Sequence, residues 1–213
     1  GKIIALAKER GIPIKDAAQQ KLDILCEGVV HQGVAAMAAC HDFSTMEDIF
    51  AKAGDQPPFI IICDNIEDPH NLGAIIRTAE AAGAHGVIIP KRRGVGLTAT
   101  VAKTSAGAVE YMPVVRVANI VSTIEELKQK GLWIFCADMD GQPWCSTDMG
   151  GPIGIVVGAE GSGVSRLTKE HCDFMVSLPM NGQVNSLNAS VAAAIVIYEA
   201  VRQRNGLPSF HKK

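Results

Sequence analysis

From Pro58 onward, short apolar segments alternate with segments of helical periodicity. Six apolar segments are predicted as strands: 59–63, 86–89, 114–117, 133–137, 153–157 and 174–178. The helices are predicted at 72–82, 98–106, 120–129, 164–172 and from 187 to about 204. Strands that alternate with helices favour a mostly parallel sheet covered by helices on both faces. The sequence therefore predicts an α/β fold with a six-stranded sheet.

The chain in front of this region predicts a second, smaller piece. Residues 1–41 contain two helical segments, 3–9 and 19–26, an extended segment at 12–14 and an apolar segment at 34–39. So few elements bury too little surface to form a core of their own, so we expect part of a small α/β domain. Since the chain lacks an initial Met, we expect it to belong to a longer protein. Residues 42–57 are predicted as a linker, 58–205 as the main domain and 206–213 as a tail.

The composition excludes several classes of protein. The 213 residues carry a net charge of −2, so any binding of nucleic acid must depend on local basic patches. No apolar run approaches the roughly 20 residues that span a bilayer. The six cysteines form no C-x-x-C pair, and the histidines show no metal-ligand spacing, so we expect free thiols, a cytoplasmic protein and no metal.

A polar loop lies between the last predicted strand and the last predicted helix, in the sequence PMNGQVNSLNASVAAA from Pro179 to Ala194. It concentrates neutral donors and acceptors: Asn181, Gln183, Asn185, Ser186 and Asn188. Ser186 is the predicted N-cap of the helix, and the small residues that follow would let a ligand or another backbone approach. The loop suits a binding site, although a capped helix after a polar turn would use the same residue types.

Ligands of open parallel sheets bind at the carboxyl ends of the strands, and two further loops lie at such ends. The loop after the first strand contains Asn71 and leads to a helix that carries Gly73 near its start and Arg77 in its first turns. Glycine and a cation are unfavourable there, and both choices make sense if Arg77 must reach a ligand. The alternative is a surface arginine paired with Glu80 or Glu67.

The loop after the fifth strand contains Gly158, Glu160, Gly161 and Gly163. Its G-x-x-G-x-G spacing is not the G-x-G-x-x-G fingerprint of dinucleotide-binding proteins, and Glu160 would repel a pyrophosphate. The loop therefore fits a cationic cofactor or an arginine better, or is simply a tight turn with a solvated glutamate.

A basic run, Lys91, Arg92 and Arg93, follows the second strand. Such a run is often only a solvated loop. At the edge of the sheet that carries the candidate site, contact with phosphate groups becomes plausible.

Taken together, these loops resemble those of a known family. N-x-G-x-x-x-R from Asn71, G-A-E-G-S-G from Gly158 and P-M-N-G-x-V-x-S-L-N-A-S from Pro179 resemble, in this order, the motifs of the SpoU (TrmH-like) family of RNA ribose 2′-O-methyltransferases, within the SPOUT superfamily. The resemblance covers about residues 57–204. The flanking sequence is most similar to the branch that methylates a guanosine ribose in bacterial 23S rRNA.

The resemblance implies a cofactor, a fold and a set of site residues. The cofactor is S-adenosylmethionine (SAM), bound near Gly158, Leu178, Met180, Ser186, Leu187 and Asn188. The implied catalytic residues are Asn71, Arg77, Glu160, Ser186 and Asn188, and the residues implied or expected to contact RNA are Arg77, Lys91, Arg92 and Arg93. The implied fold has a C-terminal trefoil knot, and residues 1–41 in front of it resemble part of a small α/β RNA substrate-binding domain. The implied assembly is a homodimer in which two chains contribute to each active site.

The chemistry of methyl transfer agrees with this set. An in-line displacement requires donor and acceptor to be held close and aligned, and Arg77 could stabilise the developing alkoxide. A role as proton acceptor is harder, because a guanidinium group rarely gives up its proton.

Three alternatives remain open. A tRNA ribose methyltransferase would share every motif. A nicotinamide-dependent oxidoreductase requires the glycine fingerprint after its first strand, and a non-catalytic RNA-binding relative would be expected to lack Arg77, Glu160 or Asn188.

Overall fold

The computed structural model describes residues 2–26, 30–35 and 41–208. These residues fall into two compact units, one within 1–38 and one from 39 onward. The first contains helices α1 (Lys2–Glu9) and α2 (Gln19–Leu25), as predicted. Most of its apolar side chains are exposed, so it has no core of its own among the described residues. The predicted apolar segment 34–39 lies largely outside the described residues.

The second unit alternates strands and helices. Its strands are β1 (Phe59–Asp64), β2 (Gly86–Pro90), β3 (Val114–Val117), β4 (Trp133–Pro143), β5 (Ile153–Gly158) and β6 (Phe174–Ser177). Its α-helices are α3 (Met46–Ala53), α4 (Pro69–Ala81), α5 (Ala99–Thr104), α6 (Ile120–Gln129), α7 (Arg166–Glu170) and α8 (Ala189–Arg204). A short 3₁₀ helix covers Ala108–Glu110. None of the described helices has the length and apolarity that crossing a bilayer requires.

The six strands form one parallel sheet in the order β3-β2-β1-β5-β4-β6, which confirms the predicted class. β1 and β5 lie side by side in the middle, with Asp64 opposite Gly158 at their carboxyl ends. The strand order reverses direction at this pair. Ligands of such sheets bind in the crevice at this point.

The two faces of the sheet bury two separate sets of apolar residues. One set packs under α4 and α8 and includes Ile61, Val87, Phe135, Ile155 and Val157. The other packs under α3 and α6 and includes Ile60, Ile62, Ile88, Ile134 and Val156. Helices therefore cover both faces, as the alternation of elements predicts.

The segment predicted as a linker, 42–57, packs on the sheet as part of the second unit. Ser44 forms a parallel bridge with Val115, and a capping box at Thr45 starts α3. Ile49 of this helix is fully buried, and its side chain fills the space where Gly86 lacks a Cβ. Because the segment is mostly polar, the sequence pattern does not reveal this buried apolar contact and underestimates how closely the segment packs on the sheet.

His85, directly before β2, is 6% exposed. Its Nδ1 accepts a hydrogen bond from the Phe59 backbone N–H at 2.9 Å. Burial lowers the pKa of His85, and the nearby charges of Arg204 and Lys52 lower it further. The unfolded chain therefore binds a proton at a higher pH than the folded chain.

The expected result is a loss of stability as the pH falls below about 6.5, the ordinary pKa of histidine. A single proton changes the free energy of unfolding by at most about 1.4 kcal/mol per pH unit. His85→Gln should show a shallower dependence than the wild-type chain in urea unfolding between neutral and acidic pH. The exposed His70 provides the control. If the free energy of unfolding depended on pH equally steeply in His70→Gln and His85→Gln, the dependence would not originate from His85.

Candidate active site

Three loops converge at the carboxyl ends of β1 and β5. The loop after β1 leads to Asn71 in α4, the loop after β5 carries Glu160, and the loop after β6 ends at Asn188. Asn188 Nδ2 donates a hydrogen bond to Asn71 Oδ1 at 2.9 Å and a second, short one to Glu160 Oε1. One side chain from each sequence motif thus takes part in a single cluster.

The other end of the Asn188 amide orients this cluster. Asn188 Oδ1 accepts from the backbone N–H of Ser190 at 3.0 Å and of Val191 at 3.2 Å, which makes Asn188 the N-cap of α8. Because the oxygen faces the helix, the amide nitrogen faces Asn71 and Glu160. The same residue starts the helix and joins the motifs.

This geometry corrects the prediction that Ser186 caps a helix starting at residue 187. Ser186 and Leu187 lie in an exposed loop, and α8 begins at Ala189. Asn188, two residues further on, is the N-cap instead, because its side chain reaches both the helix and the cluster. Among the described residues Ser186 makes no side-chain hydrogen bond, so the structure does not bring it into the cluster.

Arg77 also lies elsewhere than predicted. It is the ninth residue of α4, not part of its first turns, and its side chain is exposed. Asn71 and Arg77 are six positions apart, which places them about 120° apart around the helix axis. Within the described residues Arg77 pairs neither with the cluster nor with Glu67 or Glu80.

Gly73 has a packing role that the sequence does not reveal. A Cβ at Gly73 would lie 2.7 Å from the Thr104 Cβ and 3.0 Å from the Val101 carbonyl oxygen. Gly73 therefore lets α4 and α5 pack closely. The reach of Arg77 is not needed to explain it.

The loop that carries Glu160 is tightly built. Ala159 and Gly163 form an antiparallel bridge, and Gly161 and Gly163 have φ values of 81° and 65° that favour glycine. A methyl group on Gly158 would overlap the backbone of Gly163 and Val164. All three glycines are thus required by the shape of the loop, which holds Glu160 at the switch point.

Two carboxylates that the sequence pattern does not single out lie next to this loop, one buried and one half-buried. Asp64, 4% exposed, accepts from the Ser165 backbone N–H at 2.8 Å. Asp138, after the regular part of β4, forms an ion pair with Lys169 of α7 and lies near Gly163. The available signal was a charged residue directly after an apolar strand. Because Asp138 is paired with Lys169, Asp64 and Glu160 are the groups that make the surroundings acidic, which suits a cationic ligand.

Cys63, beside Asp64, is not a usable nucleophile. Burial raises the pKa of its thiol to about 12, and the neighbouring Asp64 charge adds to this effect. A thiol that stays protonated at neutral pH does not attack a substrate, so covalent catalysis through Cys63 is excluded.

The remaining predicted residues border the cluster. Leu178 and Met180 are half-buried at the start of the third loop, and Leu187 is 40% exposed near its end. Residues 178–187 make no hydrogen bond to other described residues, so their backbone groups are available to a ligand. Lys91, Arg92 and Arg93 are exposed on the loop after β2. Within the described ranges no group of three His, Cys, Asp or Glu side chains is arranged to hold a metal.

Comparisons with known proteins bear on this site. The model of the SpoU rRNA methylase family matches residues 58–198, and the model of an RNA 2′-O ribose methyltransferase substrate-binding domain matches residues 1–43. A Bacillus subtilis protein, provisionally named TrmH family tRNA/rRNA methyltransferase YacO, is 48% identical over 206 residues, 95% of this chain and 82% of its own. The 23S rRNA (guanosine-2′-O-)-methyltransferase RlmB of Pseudomonas putida is 45% identical over 205 residues, 95% of this chain and 82% of its own.

A solved structure agrees with these relatives. The SpoU methyltransferase AviRb of Streptomyces viridochromogenes, in complex with AdoMet, aligns with a TM-score of 0.71 and 26% identity over 95% of this chain and 88% of its own. The family match covers the whole sheet and all three loops of the cluster. The chain therefore belongs to the SpoU rRNA methylase family, the RNA ribose methyltransferases that its motifs predict.

Proposed function

We propose that this protein transfers a methyl group from SAM to the 2′-hydroxyl of a guanosine ribose in 23S rRNA, in the cytoplasm. The observation that carries the proposal is the hydrogen-bonded cluster of Asn71, Glu160 and Asn188 at the switch point of the sheet. The 45% identity to a 23S rRNA guanosine methyltransferase supports the choice of RNA and nucleoside.

The residues at the site fit SAM. When bound, SAM supplies an electrophilic methyl group on a positively charged sulfur. The carboxylates of Glu160 and Asp64 suit a cation, whereas they would repel the pyrophosphate of a nicotinamide cofactor. The exposed backbone of the third loop, with Leu178, Met180, Ser186 and Leu187, would hold the nucleoside part by hydrogen bonds, together with Gly158 and Asn188.

The chain also provides what the acceptor requires. A ribose hydroxyl is a weak acid, so the negative charge that develops on its oxygen must be stabilised. Arg77 is the candidate for this task, and Lys91, Arg92 and Arg93 are candidates for contacts with nearby phosphates. A guanidinium group serves both purposes because its planar donors bind an oxyanion in two places.

The exposed position of Arg77 supports a homodimer. Since Arg77 is exposed and makes no contact with the cluster of its own chain, a second copy would bring the two together. Helix α8 offers a surface for this copy: Val191, Ile195 and Tyr198 form an exposed apolar stripe, being 47%, 37% and 49% exposed. The stripe faces away from the core. Ile195→Glu should then yield a monomer in sedimentation experiments.

We also propose that the C-terminal segment is knotted. Helix α8 follows β6, which lies at the edge of the sheet, and packs on α4 and on the central strand β5. A knot remains in an unfolded chain that is held by both ends. Stretching the chain with optical tweezers should therefore give a shorter contour length than an unknotted chain of 213 residues.

A tRNA substrate is the second candidate, because the Bacillus subtilis relative is named a tRNA/rRNA methyltransferase. Mapping 2′-O-methylated riboses in both RNAs, from cells with and without the gene, decides between them. Loss of a guanosine methyl group from 23S rRNA supports the proposal, and loss from tRNA alone overturns it. Calorimetry with SAM and NAD tests the cofactor separately, since tighter binding of NAD would contradict the site chemistry.

Asn188→Asp separates helix capping from the cluster. Aspartate caps a helix as well as asparagine does, so stability should change by less than about 1 kcal/mol. The variant loses the amide donor and sets a second carboxylate against Glu160, so we expect SAM affinity to fall about tenfold or more at neutral pH. Affinity should partly recover at lower pH, where one carboxylate binds a proton.

Asn119 provides the matched control for this prediction. It caps α6 through the same two hydrogen bonds, to the backbone N–H groups of Val121 and Ser122, away from the cluster. Asn119→Asp should leave SAM affinity unchanged in calorimetry. If Asn188→Asp behaved like Asn119→Asp, the cluster would have only a structural role.

A further inference from the structure

A cation held against an aromatic ring lies at the carboxyl end of β3, the edge strand of the sheet. The Arg116 guanidinium carbon is 4.8 Å from the centre of the Phe43 ring. Its Nη2 donates a hydrogen bond to the Lys91 carbonyl oxygen at 3.3 Å. The ring and the carbonyl together orient the guanidinium group, and the side chain of Arg116 is exposed to solvent.

Phe43 is placed there by the backbone. Its neighbour Ser44 donates a hydrogen bond to the Val114 carbonyl oxygen at 2.9 Å and so runs beside β3. The Phe43 side chain nevertheless stays 36% exposed. A well-anchored segment therefore presents an aromatic side chain at the surface, next to Arg116.

The basic loop, residues 91–95, connects this pair to the candidate active site. At one end the Lys91 N–H donates to the Val117 carbonyl oxygen at 2.8 Å, which ties the loop to β3. At the other end the Val95 N–H donates to the Ile66 carbonyl oxygen at 2.9 Å, which ties it to the loop that leads to Asn71. The cations of the basic loop thus lie between the cluster and the edge of the sheet.

The positive charge of this surface is not neutralised within the part of the chain that the structure describes. Lys91, Arg92, Arg93 and Arg116 form no ion pair with a described carboxylate. Exposed cations next to an exposed ring are the combination with which proteins bind single-stranded nucleic acid, because phosphates take the charge and bases stack on the flat groups.

We propose that Phe43, Arg116 and the basic loop form a surface for a single-stranded stretch of RNA beside the target nucleotide. The inference rests on the proposed function, and it names a contact surface beyond the site itself. Phosphates of this stretch contact the basic loop and Arg116, and a base stacks on the flat face that Arg116 and Phe43 present. The proposed RNA surface extends from β1 in the middle of the sheet across β2 to the edge strand β3.

Fluorescence anisotropy with a short single-stranded RNA, measured at several salt concentrations, tests the surface. Arg116→Gln should weaken binding about tenfold and reduce the salt slope by about one phosphate contact. Phe43→Leu should weaken binding about fivefold or more with the salt slope unchanged, because stacking carries no charge. Phe43→Tyr keeps an aromatic ring and should bind RNA about as tightly as the wild-type chain. This result would show that the weaker binding of Phe43→Leu comes from the lost ring and not from a loss of folding.

Matched controls lie elsewhere on the unit. Arg166 has a side chain 90% exposed on α7, and Tyr111 is 72% exposed before β3. Arg166→Gln and Tyr111→Leu should leave RNA affinity unchanged. If they weakened it as much as the Arg116 and Phe43 variants, or if Phe43→Leu had no effect, the surface would only attract polyanions and the proposal would be wrong. SAM affinity, measured in parallel, reports on the proposed function independently.

Discussion

Arg77→Ala is expected to nearly abolish methyl transfer while leaving SAM affinity unchanged. The side chain lies outside the hydrogen-bonded cluster of its own chain, so its removal does not disturb the proposed cofactor site. Loss of one donor to a developing oxyanion costs about 10²- to 10³-fold in rate, and a charged donor should cost at least as much. Single-turnover kinetics and calorimetry measure the two quantities separately.

Arg77→Lys is the sharper variant. Lysine keeps the charge but lacks the planar donors that bind hydroxyl and phosphate together, so it should restore little activity. Arg166→Ala, which removes another exposed arginine, should remain fully active. A variant Arg77→Ala that kept more than roughly a tenth of the wild-type rate would show that the arginine is not part of the mechanism.

Mixing two variants that are each strongly impaired at limiting SAM tests whether Arg77 acts on the partner subunit. In a dimer of one Arg77→Ala chain and one Asn188→Asp chain, an active site shared between the chains would combine the intact Arg77 of one with the intact Asn188 of the other. Random mixing should then restore about a quarter of the wild-type activity, because half of the dimers are mixed and each has one intact site. No recovery in dimers shown to be mixed would place both residues in one chain.

Gly158→Ala is expected to remove SAM binding altogether. The new methyl group would overlap the backbone of Gly163 and Val164, which cannot move aside as a flexible side chain could. The loop that carries Glu160 must therefore shift, and overpacking of this kind costs about 1–3 kcal/mol of stability as well. Calorimetry with SAM and thermal unfolding follow the two effects.

Gly182 is the matched control for this substitution. It lies in the third loop, has an ordinary φ, and has no atom within 4 Å of an added Cβ. Gly182→Ala should bind SAM normally and be as stable as the wild-type chain or slightly more so. If Gly158→Ala bound SAM equally well, the proposed position of the cofactor would be incorrect.

The elements of the larger unit were predictable because their signals are local. Apolar runs such as 59–63 and 153–157 are bounded by polar turns, and parallel strands buried on both faces read as continuous apolar sequence. Boundaries that depend on side-chain geometry were less accessible. Both Ser186 and Asn188 are good capping residues, and only the contact with Asn71 and Glu160 selects Asn188.

The candidate site was predictable in part. The three motifs indicate which loops meet, because they follow strands whose carboxyl ends share an edge. The exposed position of Arg77 could not be derived, since it depends on where α4 begins. Asp64 and Asp138 also escaped prediction, because single charged residues after strands are common and their partners lie far away in sequence.

The packing of Ile49 against Gly86 determines how a shorter version of this protein can be designed. The family match begins at residue 58, which suggests that position as the start of a minimal catalytic fragment. Such a fragment would lack α3, and the apolar surface of Ile60, Ile88 and Val115 beneath it would be open to water. Exposed apolar surface of this kind promotes aggregation. A soluble fragment should instead start before Thr45, so that the helix keeps its capping box.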